Sequence, residues 1–151
     1  MYVGVGALLD SNALKSMTQA ELDDLFLRSP AGPTPEGNAD GTVLFDPGSP
    51  IEDVAARVAH QLFWKGKVFD PNSGELRNLV LPPGIPAVAA QVYRAPSWID
   101  GKECIVLDYS KTSIVAHWVR DEIREVAPKL YLGVVFWEQH KILNFALDFG
   151  Q

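Results

Sequence analysis

The chain has 151 residues and carries 13 basic against 19 acidic side chains, a formal net charge of −6. That length suits one domain whose core needs no covalent or metal staple, and 47% hydrophobic against 21% charged residues excludes a disordered chain. The acidic balance excludes a binder of phosphate backbones, which needs a basic face, so no nucleic-acid partner is expected.

The first fifteen residues, MYVGVGALLDSNALK, lack the basic and apolar regions of a secretory signal, and residues 1–16 are expected to be flexible. The single cysteine, Cys104, allows no internal disulfide, which points to a reduced, cytoplasmic setting. The longest stretch of low polarity, Leu79–Gln91, is broken by Pro82, Pro83, Gly84 and Pro86. It is too short to cross a bilayer, so no membrane span is expected.

A first helix is predicted from Thr18. Thr18 and Glu21 have the spacing of a capping box, and Leu22, Leu25 and Phe26 form a short apolar stripe ending at Ser29–Pro30. The loop SPAGPTPEGNADG follows, with three prolines and three glycines, and Thr42–Phe45 suits a short strand. A second helix is predicted with Ser49 as N-cap and Pro50 at its first position. Its apolar stripe runs from Ile51 to Phe63, and Gly66 serves as the residue past its end. Residues 17–66 thus read as a helical part and 67–151 as a β part.

The β part reads as hairpins. Lys67–Phe69 and Leu76–Val80 flank Asp-Pro-Asn-Ser-Gly, and Ala87–Arg94 and Cys104–Ser110 flank a turn at Asp100–Gly101. Leu130–Trp137 and Ile142–Phe149 flank Glu-Gln-His-Lys. Between the last two hairpins a short helix is expected at Ser113–Trp118 and a strand at Arg120–Val126. Runs joined by short turns mean antiparallel pairing. The expected fold is therefore α+β, with N-terminal helices followed by an antiparallel β-barrel or strongly curled sheet, in a single domain.

Both faces of the final two runs are apolar: Leu130, Leu132, Val134 and Phe136 on one, Tyr131, Val135 and Trp137 on the other. A sheet with one wet face would alternate cleanly. The second apolar face calls for a covering helix or a partner chain. The inner one lines either a ligand cavity or a barrel filled by its own side chains.

Candidate chemistry follows from strand phase. Cys104, Val106, Asp108 and Ser110 share one face, and Ile105, Leu107 and Tyr109 share the other. If the first set faces inward, Asp108 needs an arginine such as Arg94, Arg120 or Arg124, because an unpaired buried carboxylate is costly. Arg120, Glu122 and Arg124 share a face of their strand, with Asp121 and Ile123 opposite. This Arg–carboxylate group reads either as a ligand site or as a solvated, salt-bridged face. Arg94, Arg120, Arg124, Tyr131 and Asn144 are the candidate ligand-binding residues. Asp108, Glu122 and Tyr109 are the candidate catalytic residues for cofactor-free acid–base chemistry. His60 and His140 are expected to be peripheral. His117 and Asp121 have a helical i, i+4 spacing without a third ligand, so no metal site is expected. No dinucleotide or phosphate-loop motif is present, so no cofactor is expected.

The runs WKGKVFD, YRAPSWIDGKECIVLDYSKTS, VRDEIREVAPKLYLGVVFW and NFALDF resemble a group of bacterial proteins of no assigned activity with a calycin-like barrel. This is the shape of lipocalins and fatty-acid-binding proteins. The likeness covers roughly Thr18 to Phe149, without the early G-x-W of lipocalins themselves. It implies a small barrel with an apolar cavity. The function expected is binding of a small hydrophobic or amphipathic ligand. The alternatives are an isomerase, cyclase or dehydratase acting on such a molecule, and a partner-binding protein forming a homodimer through the outer apolar face.

Overall fold

Asp10 and Thr18 start the two helices at the head of the described chain. Asp10 accepts from Ala13 N at 2.8 Å and opens α1, Ser11–Lys15. Thr18 Oγ1 accepts from Glu21 N, and Glu21 Oε1 accepts from Thr18 N at 3.0 Å. This reciprocal cap opens α2, Gln19–Arg28, and is worth about 1 kcal/mol. Ser29 ends α2 in an extended conformation, as the residue before a proline tends to be. A computed structural model describes residues 9–44, 64–70, 75–80, 89–110 and 119–150, with backbone alone for 64–70, 75–80 and Ala89.

Eight strands follow: β1 Gly37–Leu44, β2 Trp64–Asp70, β3 Glu75–Val80, β4 Ala89–Pro96, β5 Glu103–Asp108, β6 Val119–Ala127, β7 Leu130–Trp137 and β8 His140–Asp148. Each pairs antiparallel with its neighbour in sequence, and β8 pairs back onto β1 from Asp40↔Asp148 to Leu44↔Asn144. The sheet is therefore a closed barrel in sequence order, and the fold is mostly β.

Residues directly opposed in antiparallel strands share a face, so the pairing sorts the side chains into two sets. Ile105, Ile123, Gly133 and Phe145 form one row across β5–β8. They belong to a cluster with Ala39, Ala90, Leu107, Tyr109, Tyr131, Leu143 and Leu147, drawn from both sides of the barrel. Only the interior can bring these together. Val106, Glu122, Val134 and Asn144 form the alternate, outer row. On this outer wall Leu130, Leu132, Val134, Phe136, Val126 and Ala146 pack against Leu14, Leu22, Leu25 and Phe26 of the helices. Each such aliphatic or aromatic burial contributes about 1.5–3 kcal/mol. The second apolar face of β7 is thus covered by α1 and α2.

Gly133 is required by this geometry. A Cβ there would run into the Phe145 ring, which lies across it inside the barrel. The β7–β8 turn is two residues, Glu138 and Gln139, at φ of 50° and 75°, the left-handed pair that matches the twist of a tight hairpin.

Several expectations are corrected. Residues 11–15 form α1, with Leu9 and Leu14 buried beneath the outer wall. Gly37–Gly41, the last five residues of the expected loop, belong to β1: this glycine-rich sequence hides a strand held by pairing on both sides. Trp64-Lys-Gly-Lys is the start of β2 rather than a helix end, and Gly66 sits at a register shift in that strand. The helical–β boundary near residue 66 therefore does not hold, since β1 and β2 begin before it. His140 opens β8 instead of lying in the turn. The helices expected at Ser49–Phe63 (with His60) and Ser113–Trp118 (with His117) lie outside the described residues.

Candidate functional site

The alternation of β5 and β6 decides which polar groups reach the barrel interior. Ile105, Leu107 and Tyr109 point inward, so Asp108 points outward. This reverses the inward placement considered for Cys104, Val106 and Asp108. The set without a charged group takes the interior because burying it costs less in desolvation. Asp108 accepts from Tyr93 Oη at 2.7 Å and from Ser110 N at 2.8 Å. Burial pushes its carboxyl upward, but the Ser110 and Tyr93 bonds and the Arg120 charge outweigh that and hold it below the ordinary value. Burial, then the bond to Asp108, pushes the Tyr93 phenol up to about 12.

Glu122 and Arg124, also on the outer wall, serve structure. Glu122 is fully buried beneath the β4–β5 turn. It accepts from Ser97 Oγ at 2.6 Å, Trp98 N at 2.8 Å and Arg120 Nη2 at 3.0 Å. Arg120 also donates to the Pro96 carbonyl and lies 4.2 Å from the Trp98 ring centroid. Trp98 in turn meets Phe136 edge-on, outside the barrel. Arg124 spends all five N–H groups. They go to both oxygens of Asp100 (2.9 and 2.8 Å) and to the carbonyls of Phe26, Lys102 and Glu103. It ties the end of α2 to the β4–β5 turn. The bond from Arg124 holds the Asp100 carboxyl below its ordinary range.

Asn144, also outward, donates to Gly133 O and accepts from Gln19 Nε2 at 2.7 Å, which anchors the start of α2. Cys104 is a buried outer-wall residue whose thiol burial pushes up to about 12, which suits packing rather than nucleophilic attack.

One end of the barrel is crossed by residues 31–33, between α2 and β1. Arg94 donates to Gly32 O, Tyr131 donates to Pro33 O, and Glu125 N donates to Ala31 O. Arg94 also pairs with Glu103 at 3.0 Å. Gly32 has φ of +75° and lies so close to Glu125 that a side chain would collide. Arg94 and Tyr131 are thus brought together, but as the fastening of this strap. Burial also pushes the Tyr131 phenol upward.

Towards the other end, the interior holds a polar pair. Tyr109 Oη donates to Asp121 Oδ2 at 3.3 Å, and both residues are buried. Asp121 is opposed by Leu107 and Val135, both of the inner set. Of the candidate catalytic residues, Tyr109 alone faces the interior. The carboxyl beside it is Asp121, not Asp108 or Glu122. The apolar run Ile105–Leu107–Tyr109 was the available signal, since the face it shares across the pairing carries Asp121 as well. Asp121 lies in a strand, so the helical spacing to His117 does not apply. Among the described residues no group of three His, Cys, Asp or Glu is placed to hold a metal. Among them also, no helix is long and apolar enough to cross a membrane.

No family model matches the chain, and no curated protein does. A crystal structure of a protein from Thermomonospora curvata is similar in fold, with a TM-score of 0.64 over 89% of each chain at 18% identity.

Proposed function

We propose that the protein is a calycin-like binding barrel that takes a small hydrophobic or amphipathic molecule into its interior. The observation that supports this most is the inner cluster. Among the described residues it is an apolar lining contributed from β1 and from β4 to β8, with one buried polar pair, Tyr109 and Asp121. Small-molecule sites have this make-up: mostly apolar walls and a few convergent polar groups. An antiparallel barrel of eight strands is either filled by its own side chains or holds one small ligand, as lipocalin-type barrels do. The strap at residues 31–33 gives the interior a floor. A reduced, cytoplasmic setting suits the lone, buried Cys104 thiol.

The test is uptake of a neutral fluorescent probe, N-phenyl-1-naphthylamine, by protein stripped of lipid. Saturable binding with enhanced emission is expected, and Ile105→Trp, which fills the interior, should abolish it. An interior packed by its own side chains would give no saturable uptake, and that result would overturn the reading.

A further inference from the structure

The wall of the barrel parts at the strap end. Pairing of β5 with β6 runs from Asp108↔Arg120 to Ile105↔Ile123 and stops there. Yet β5 follows β4 on to Glu103, and β6 follows β7 on to Ala127. Arg124 spans the start of this split from outside, through the Lys102 and Glu103 carbonyls. Beyond it the strap stands in for a strand. Glu125 N donates to Ala31 O, Arg94 of β4 to Gly32 O and Tyr131 of β7 to Pro33 O. Ala31 is buried in the inner cluster, whereas Pro33 and Thr34 are exposed. Residues 31–33 thus separate the interior from water where β5 and β6 part.

From this we infer that the strap is a gate: it lifts off the barrel, and the ligand enters and leaves through the split between β5 and β6. The inference rests on the interior holding a ligand at all. Pro30, Pro33 and Pro35 offer no N–H, so the segment cannot join the sheet as a further strand. Two of its three fastenings are side chains, which let go by changing rotamer while the strands stay paired. Arg94 is the more accessible of these, with 39% of its side chain exposed. The ends of the strap are fixed. Arg124 holds the Phe26 carbonyl near the end of α2, and pairing to β2 holds β1 from Gly37 onward. Gly37, at φ of +84° with open space around it, is the hinge on the β1 side. Lifting the strap therefore opens the interior without unpairing the barrel.

The experiment follows N-phenyl-1-naphthylamine entering and leaving the full chain by stopped-flow fluorescence. Tyr131→Phe and Arg94→Met each release one fastening. Each should raise both rates about threefold, and the two together about tenfold, as loss of ordinary hydrogen bonds would. Because entry and exit speed up together, the dissociation constant should move less than either rate. Tyr131→Phe keeps the ring and serves if Arg94→Met does not fold. Hydrogen exchange of the unliganded chain reads the gate directly. The Glu125 amide, bonded to the strap, should exchange faster than the sheet-paired amides of β6, and faster still in the variants. Entry and exit rates unmoved by both variants would overturn the gate while the binding barrel stands. So would faster exit with entry unchanged, the mark of a wall that only packs against the ligand. A Glu125 amide as protected as its sheet-paired neighbours would overturn it too. Failure of the wild-type chain to take up the probe would overturn the binding barrel and this inference with it.

Discussion

Asp121 and Glu122 are consecutive in β6, are 3% and 0% exposed, and stand on opposite sides of the barrel wall. Two adjacent buried carboxyl groups thus have different surroundings. Glu122 is wrapped by Ser97, Trp98 and Arg120 outside, and Asp121 lies with Tyr109 among apolar side chains inside. Glu122→Ala should therefore cost about 3–5 kcal/mol in denaturant unfolding, because it leaves the Arg120 charge and the Ser97 hydroxyl without their acceptor. Glu122→Gln should cost less. Neither should move the probe affinity of protein that remains folded, and a changed affinity would show that the outer wall belongs to the site.

Arg124 and Asp100 make a pH-dependent clamp. The Asp100 carboxyl is held below its ordinary value of 3.8 by the Arg124 bonds. Its contribution is complete above that value and is lost as the pH falls below it toward the depressed folded value. The Tm difference between wild type and Asp100→Asn should be largest above about pH 5 and should narrow as the pH falls below 3.8. A gap that widens in acid would contradict this. Arg124→Lys should not rescue the clamp, since one ammonium cannot reproduce a two-pronged contact to Asp100 together with three carbonyl bonds.

Gly133 and Phe145 form a size-matched pair inside the barrel. Gly133→Ala should destabilise by about 1–3 kcal/mol through overpacking against the ring. Phe145→Leu in the same chain should recover part of that loss, although it is destabilising by itself. A double-mutant cycle with no coupling would contradict the contact.

Asp40 and Asp148 oppose each other directly across the β1–β8 seam. Like charges in this position cost a few tenths of a kcal/mol up to about 1. Asp40→Lys should raise Tm by a degree or more, with the gain shrinking in high salt.

The strands that were legible in the sequence are those bounded by strong turns. Asp100–Gly101 and the Glu138–Gln139 corner delimited two hairpins to within a few residues. Thr18, Glu21 and the Leu22–Leu25–Phe26 stripe marked α2 in the same way. β1 was hidden because Gly37, Asn38, Asp40 and Gly41 carry no apolar alternation, and its conformation is imposed by two neighbouring strands. Around the site, residue types were easier to read than direction. Period two sorted Asp108 from Tyr109 and Glu122 from Asp121 correctly but could not say which set looks inward. That depends on where the helices lie. Arg120, Arg124 and Asn144 were singled out as charged or polar residues next to apolar runs, and they are just that. Their partners, from Gln19 to Asp100, come from segments that no local spacing connects to them.

The anchoring of α2 bears on how the chain matures. Its fixed points are Asn144, reached from Gln19 across 125 residues, Lys141 with Asp23 across 118, and Arg124 with Phe26 across 98. On the ribosome, a helix of ten residues finished early meets only Leu9, Leu14 and Leu44 of its final cluster until β6 and β8 have emerged. Until then Leu22, Leu25 and Phe26 lack the barrel wall that buries them. The same late docking brings β1 beside β8 and joins the seam. A nascent chain halted before residue 140 would hold an open row of strands with a bare edge, the form most prone to pair with another chain. Completion of β8 covers the helix stripe and removes that edge in one event.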